Sequence, residues 1–239
     1  MPNYFEIKGM IFADRTEAGR RLAWKLAAYA NRDDVIVLGI PRGGVAVAFE
    51  VAARLHAPLD IFLLRKLGVP SQEELAFGAI ASGGVRVLDR DIIEALGVSE
   101  KEIEQVTSKE RKELRRREQV YRGDRSALDV RGKTVIVVDD GVATGSSMFA
   151  GIEALRQLQP SRIVVAVPVA PSRTCLRLAG EVDEVVCLQT PLSFHAIGQF
   201  YEDFSQVEDG EVIALLTHAE LHAGEAAVCA GAERKGRAS

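Results

Sequence analysis

Residues 135–148 read VIVVDDGVATGSSM, and the rest of the chain is organised around them. Four consecutive β-branched apolar residues, Val135 to Val138, suit a strand buried on both faces, as in a parallel sheet. Two adjacent carboxylates, Asp139 and Asp140, end that run. A short loop holding Ala143, Thr144, Gly145, Ser146 and Ser147 follows, and then Met148, Ile152 and Leu155 recur at helical spacing. This order sets free backbone N–H groups and the positive end of a helix beside two fixed carboxylates. The N–H groups favour an anion such as phosphate. The carboxylates favour sugar hydroxyls or a metal, and a ribose phosphate offers partners for both. Adjacent acids at the end of a buried strand are costly to desolvate unless something uses them.

Working outward, residues 35–40 (VIVLGI) predict a second buried strand, which runs into Pro41-Arg42-Gly43-Gly44 and a helical pattern over 45–55. The layout repeats, with a basic residue where the other loop has acids. Gly43 and Gly44 would let backbone approach a ligand closely, and Arg42 presents a fork of donors suited to phosphate oxygens. Residues 60–64 (DIFLL) predict another strand, ending in Arg65 and Lys66. At the carboxyl end of a buried strand these would face the crevice where open α/β sheets bind ligands, and strand alternation lets only one point directly inward. Strands over 163–167 and 184–188, separated by a helix over 172–179, complete the alternation. A helix over 14–30, capped by Asp14 or Thr16, precedes it. The expected class is α/β, a parallel five-stranded sheet with helices on both faces.

No Gly-Lys-Ser/Thr closes the loop at 141–147, so it is not a P-loop. The acids precede the glycines, so it is not a dinucleotide fingerprint. The stretch resembles the phosphoribosyl-pyrophosphate (PRPP) signature of the type I phosphoribosyltransferases, and PRGG resembles their pyrophosphate loop. The resemblance covers about residues 35–188 and implies the following roles. Ala143, Thr144, Gly145, Ser146 and Ser147 cradle the 5′-phosphate. Asp139 and Asp140 address the ribose hydroxyls and help hold Mg²⁺ as cofactor. Arg42, Gly43, Gly44, Arg65 and Lys66 take the pyrophosphate, with Lys66 favoured over Arg65. Arg42, Lys66, Asp139 and Asp140 carry the catalysis, and a cis peptide precedes Arg42. The implied reaction is Mg²⁺-dependent transfer of the 5-phosphoribosyl group from PRPP to a nitrogenous base, releasing pyrophosphate. A small hood over about 191–216, where Phe194, Phe200, Tyr201 and Phe204 gather, would contact the base through Phe194 or Tyr201. One departure matters: 6-oxopurine enzymes usually carry an Asp just before the Thr-Gly, where this chain has Ala143. Hypoxanthine and guanine are therefore disfavoured as acceptors.

The expected organisation is a single domain over 1–222 with an inserted hairpin and long-helix lid at about 67–122, and a disordered tail over 223–239. Short strands over 77–81 and 85–88 would flank a Ser82-Gly83-Gly84 turn. A long polar helix over 99–121 would follow, opened by a Ser99/Glu102 capping box. It carries 8 Lys/Arg against 6 Asp/Glu over 99–122, so it reads as solvated and weakly cored, as suits a mobile lid. Its cluster Arg111, Lys112, Arg115, Arg116 and Arg117 lacks interleaved aromatics, and a formal charge of −4 argues against general attraction to nucleic acid. No apolar run approaches membrane-spanning length and the start lacks a signal pattern, so the expected location is cytoplasmic. Three cysteines at unrelated spacings suit idle thiols. The expected partners are PRPP and a small-molecule acceptor, with a homodimer left open. The competing reading is a PRPP-sensing regulator without turnover; a third is a hydrolase, which would release product without a base.

Overall fold

The computed structural model describes residues 11–70 and 72–221. Helix α1 (Arg15–Lys25) leads to strand β1 (Val35–Gly39), helix α2 (Gly43–Leu55) and strand β2 (Leu59–Ile61). Three strands then turn out of this pattern: β3 (Leu64–Val69), β4 (Gln72–Ala81) and β5 (Arg86–Leu88). Helices α3 (Arg90–Leu96) and α4 (Glu100–Arg122) follow. The alternation resumes with β6 (Thr134–Val138), α5 (Ser146–Gln157), β7 (Arg162–Val169), α6 (Ser172–Ala179) and β8 (Glu184–Gln189). A last helix, α7, spans 209–221. No helix among the described residues is long and apolar enough to cross a membrane.

β2, β1, β6, β7 and β8 form, in that order, a wholly parallel five-stranded sheet. The pleat sorts their side chains. Ile36, Leu38, Val135, Val137, Val165 and Val167 face one way and pack under Met148, Ile152 and Leu155 of α5. Val35, Val37, Ile136, Val138, Val164 and Ala166 face the other and are covered by α1 and α2. Both faces are dry, which is why β6 reads as an unbroken apolar run.

The expected strand over 60–64 is corrected. The parallel strand stops at Ile61, and Arg65 and Lys66 lie on β3, which pairs antiparallel with β4. Ser82 fixes the break: its Oγ accepts the Leu63 N–H at 3.1 Å and its own N–H donates to the Leu63 carbonyl at 2.9 Å. Residues 77–81 are the end of a ten-residue strand, and the 82–84 turn carries positive φ at Gly83 and Gly84.

The helix over 100–122 is present with its Ser99/Glu102 capping box, but the weakly cored reading is also corrected. Ile103, Leu114 and Tyr121 are buried in a cluster with Leu67, Phe77 and Ile80 of the antiparallel sheet and Val212 and Leu216 of α7. Arg122 is buried at the last turn, where Nε donates to Asp60 Oδ1 at 2.8 Å and Nη2 to the Ile61 carbonyl at 2.9 Å. Polar composition hid a narrow apolar stripe. The expected 223–239 tail lies outside the described residues.

Candidate active site

Counted within the sheet alone, the strand order is 2-1-3-4-5. The chain leaving β1 crosses to one side and the chain leaving β6 to the other, so the loops after these neighbours diverge. Open α/β sheets bind ligands at such a point. The register pairs Gly39 with Val138, and the Ile40 N–H donates to the Val138 carbonyl at 2.9 Å. PRGG and the acid loop are thereby set side by side.

The contact is tight. A Cβ built on Gly43 would stand 2.0 Å from Asp140 Oδ2, and one on Gly44 would stand 2.9 Å from Asp139 Oδ1. The two glycines make room for the protein's own carboxylates, beyond any role in ligand approach. The Pro41–Arg42 peptide is cis, as the resemblance implied. Arg42 Nη1 lies 3.8 Å from Glu208 Oε2 and 3.9 Å from Asp209 Oδ1, and Tyr121 donates its hydroxyl to Asp209 at 2.6 Å.

The acids differ in their surroundings. Asp139 Oδ1 accepts the Asp140 N–H at 2.9 Å. Burial, and then the neighbouring Asp140 charge, hold the Asp139 carboxyl well above the usual carboxylate range. Asp140 is 9% exposed. Burial raises its carboxyl too, opposed by Arg15, whose Nε donates to Oδ2 at 2.8 Å. Two close carboxylates that resist ionisation together make a site for a cation or for hydroxyl donors. Among the described residues no group of three acidic, His or Cys side chains converges. This donor set fits a Mg²⁺ ion that keeps waters and shares its shell with ligand phosphates, the usual habit of that metal.

Beyond the acids, Ala143, Thr144, Ser146 and Ser147 lie on the loop and first turn of α5, with Thr144 Oγ1 and Ser146 Oγ 3.2 Å apart, while Gly145 between them has φ 82°. A Cβ on Gly145 would meet the Phe149 ring at 2.8 Å and Thr174 Cγ2 at 3.1 Å. Thr174 steadies the loop by donating its hydroxyl to the Ala143 carbonyl at 2.7 Å. No side chain caps the start of α5, a helix end of the kind that can take an anion, and the Thr144 and Ser146 hydroxyls beside it bond to each other.

Lys66 is exposed and lines a groove of about 1000 Å³ together with Ser146 and Phe149. Arg65 is turned the other way, its Nη2 bound to Glu110 Oε2 of α4 at 2.6 Å, so its expected part in pyrophosphate binding is corrected. In the hood, Phe194 is half-buried against Phe200. Tyr201 is also corrected as a base contact: it is 6% exposed, with its ring between Phe12 and Phe204. Its hydroxyl donates to the Asp140 carbonyl at 2.6 Å. The hood is closed by the N-terminal segment, since Phe12 forms a parallel bridge to Tyr201. Sequence reasoning missed Arg15, Glu208 and Asp209. For Arg15 one signal existed, a cation in the first turn of a helix, where the dipole disfavours it.

The sequence from residue 10 to residue 205 matches the phosphoribosyl transferase domain family. Proteins of two Mycobacterium tuberculosis strains, CDC 1551 and H37Rv, named "Putative phosphoribosyl transferase", are each 46% identical over 216 residues, which is 90% of this chain and 48% of theirs. The chain thus spans about half the length of these curated relatives. The crystal structure of TT1426 from Thermus thermophilus superposes with a TM-score of 0.77 at 43% identity, covering 87% of this chain and 98% of that one. A ribose-phosphate pyrophosphokinase of Pyrococcus furiosus is 37% identical over 65 residues, 26% of this chain and 23% of its own.

Proposed function

This chain belongs to the phosphoribosyl transferase domain family, and we propose that it transfers the 5-phosphoribosyl group of PRPP to a nitrogenous acceptor, releasing pyrophosphate. The observation that carries the proposal is the packing of the Gly43-Gly44 backbone onto Asp139 and Asp140 at the divergence of β1 and β6. It sets an acidic wall and the Arg42 loop within one small molecule's reach of each other. The 5′-phosphate takes the uncapped start of α5 with Thr144, Ser146 and Ser147. The ribose hydroxyls take the acids, and the pyrophosphate takes Arg42 and the backbone of Gly43 and Gly44. Lys66 supplies positive charge from the groove beside Ser146.

The chemistry passes through a sugar with cationic character while pyrophosphate departs, so leaving-group charge must be neutralised and water kept away. When bound, Mg²⁺ supplies part of that neutralisation, with Asp139 and Asp140 holding it directly or through water. Ala143 can do no acid–base work on the base, which leaves 6-oxopurines disfavoured.

The test is pyrophosphate release from PRPP and Mg²⁺ across a panel of bases. Release that depends on one base is the expected result. PRPP binding with no release for any base would make the protein a sensor, and release with no base added would make it a hydrolase. Either outcome overturns the transferase reading.

A further inference from the structure

Arg15 belongs to none of the motifs above, yet it touches four parts of the site. Its Nε donates to Asp140 Oδ2 at 2.8 Å, and its Nη1 donates to the Ser205 carbonyl at 2.8 Å. The guanidinium carbon lies 4.0 Å from the centre of the Phe204 ring. A Cβ on Gly43 would stand 2.8 Å from Arg15 Nε, so the guanidinium edges against the PRGG backbone. Both side chains of the Arg15–Asp140 pair are 12% exposed. An exposed pair would contribute little, but removing one partner of an enclosed pair strands the other charge.

This cation also sits where its own helix opposes it. As the first residue of α1, it faces the positive end of the helix dipole. α1 gains nothing from an Arg there, whereas Asp140 gains a fixed donor. Tyr201 adds a second hold on the same residue through the Asp140 carbonyl.

We propose that Arg15 is a positioning residue for the sugar subsite, holding the Asp140 carboxylate in one orientation beneath Gly43 and tying the hood to that carboxylate through Ser205 and Phe204. The inference rests on the assignment of Asp140 to the ribose and extends it: the N-terminal helix becomes part of the binding machinery. A residue that acts on Asp140 should matter to ligands carrying the sugar and leave a bare anion nearly untouched.

The experiment compares the full chain with Arg15→Gln and Arg15→Lys by calorimetric titration, without Mg²⁺, using ribose 5-phosphate and inorganic pyrophosphate separately. The expected result is a loss of ribose 5-phosphate affinity of about 10- to 100-fold in Arg15→Gln, the usual range for a group that orients a ligating residue. Pyrophosphate affinity should hold, and Arg15→Lys should recover part of the loss, since an ammonium can pair with Asp140 but does not span Asp140 and Ser205 as the guanidinium does. Equal loss for both ligands, no loss for the sugar, or no recovery by Lys would overturn the proposal. Amide hydrogen exchange of the ligand-free proteins gives a readout that needs no sugar binding. Arg15→Gln should speed exchange over residues 139–142 and 203–206 relative to β7, and uniform exchange would sink the inference. A parent chain that binds pyrophosphate but not ribose 5-phosphate, with this exchange pattern intact, would instead fault the sugar assignment.

Discussion

Asp139 shows the conflict between binding and stability most directly. Its carboxyl holds a proton more tightly in the native chain than in the unfolded one, chiefly because it is buried. Native stability therefore falls as pH rises from the unfolded value of about 4 through the raised native value, and the loss is complete above that. Asparagine keeps the oxygen that accepts the Asp140 N–H and removes the charge. Asp139→Asn should melt higher than the parent at about pH 8, by on the order of 2–4 °C, with the two curves converging toward about pH 4. The same variant should lose PRPP affinity. A lower melting temperature at the alkaline end would mean that the charge is already compensated. At Gly43 the prediction is steric. Alanine would place a methyl group on Asp140 Oδ2, so Gly43→Ala should destabilise by roughly 1–3 kcal/mol, read as a shifted urea midpoint. Arg42→Ala should weaken pyrophosphate more than ribose 5-phosphate, because the sugar is assigned to the other wall; parallel losses in titration would break that division.

Among the elements, α4 carries the clearest energetic signature. Its last turn is held by a buried pair in which Asp60 also accepts the backbone N–H groups of Ile61 and Leu128, at 2.7 and 3.1 Å. Arg122→Ala would leave that carboxylate enclosed without its cation, and the expected cost is roughly 3–5 kcal/mol in chemical denaturation. The exposed pairs on the same helix, Glu113 with Arg116 and Arg117, behave otherwise. These arginines pull the Glu113 carboxyl down to about 2, yet solvent screens the pair, so Glu113→Gln should leave the denaturation midpoint nearly unmoved. Together these two variants separate what anchors the helix from what merely decorates it.

For the whole molecule, the site is where four chain segments meet: the start of α1, the loop after β1, the loop after β6, and the hood with the start of α7. Ligand binding should then stabilise the entire fold. At about 100 times its dissociation constant, Mg²⁺-PRPP should add about 2.7 kcal/mol, seen as a rise in melting temperature of several degrees. The double variant Asp139→Asn, Asp140→Asn should show no such rise while remaining folded. A rise that survives the double variant would place the sugar elsewhere.

The βα alternation of the parallel sheet, the burial of β6 and the opposed acidic and basic loops were legible in the sequence. They depend on local features: apolar period, strand-end chemistry and helix-start residues within a few positions of one another. Asp139, Asp140, Thr144 and Arg42 were singled out for that reason, and the fold brings their two loops side by side. What the sequence could not reveal depends on packing between distant segments. The DIFLLRK run reads as one strand, but only the pairing with β4 shows that it changes sheets after Ile61 and sends Arg65 to Glu110. The charged helix looks solvated until its stripe is set against Phe77 and Leu216. Tyr201 and Arg15 appear unrelated to Asp140, at separations of 61 and 125 residues, until the fold brings both onto it. A side chain's charge and size are written in the chain, but its partner is decided by which surfaces must be buried together.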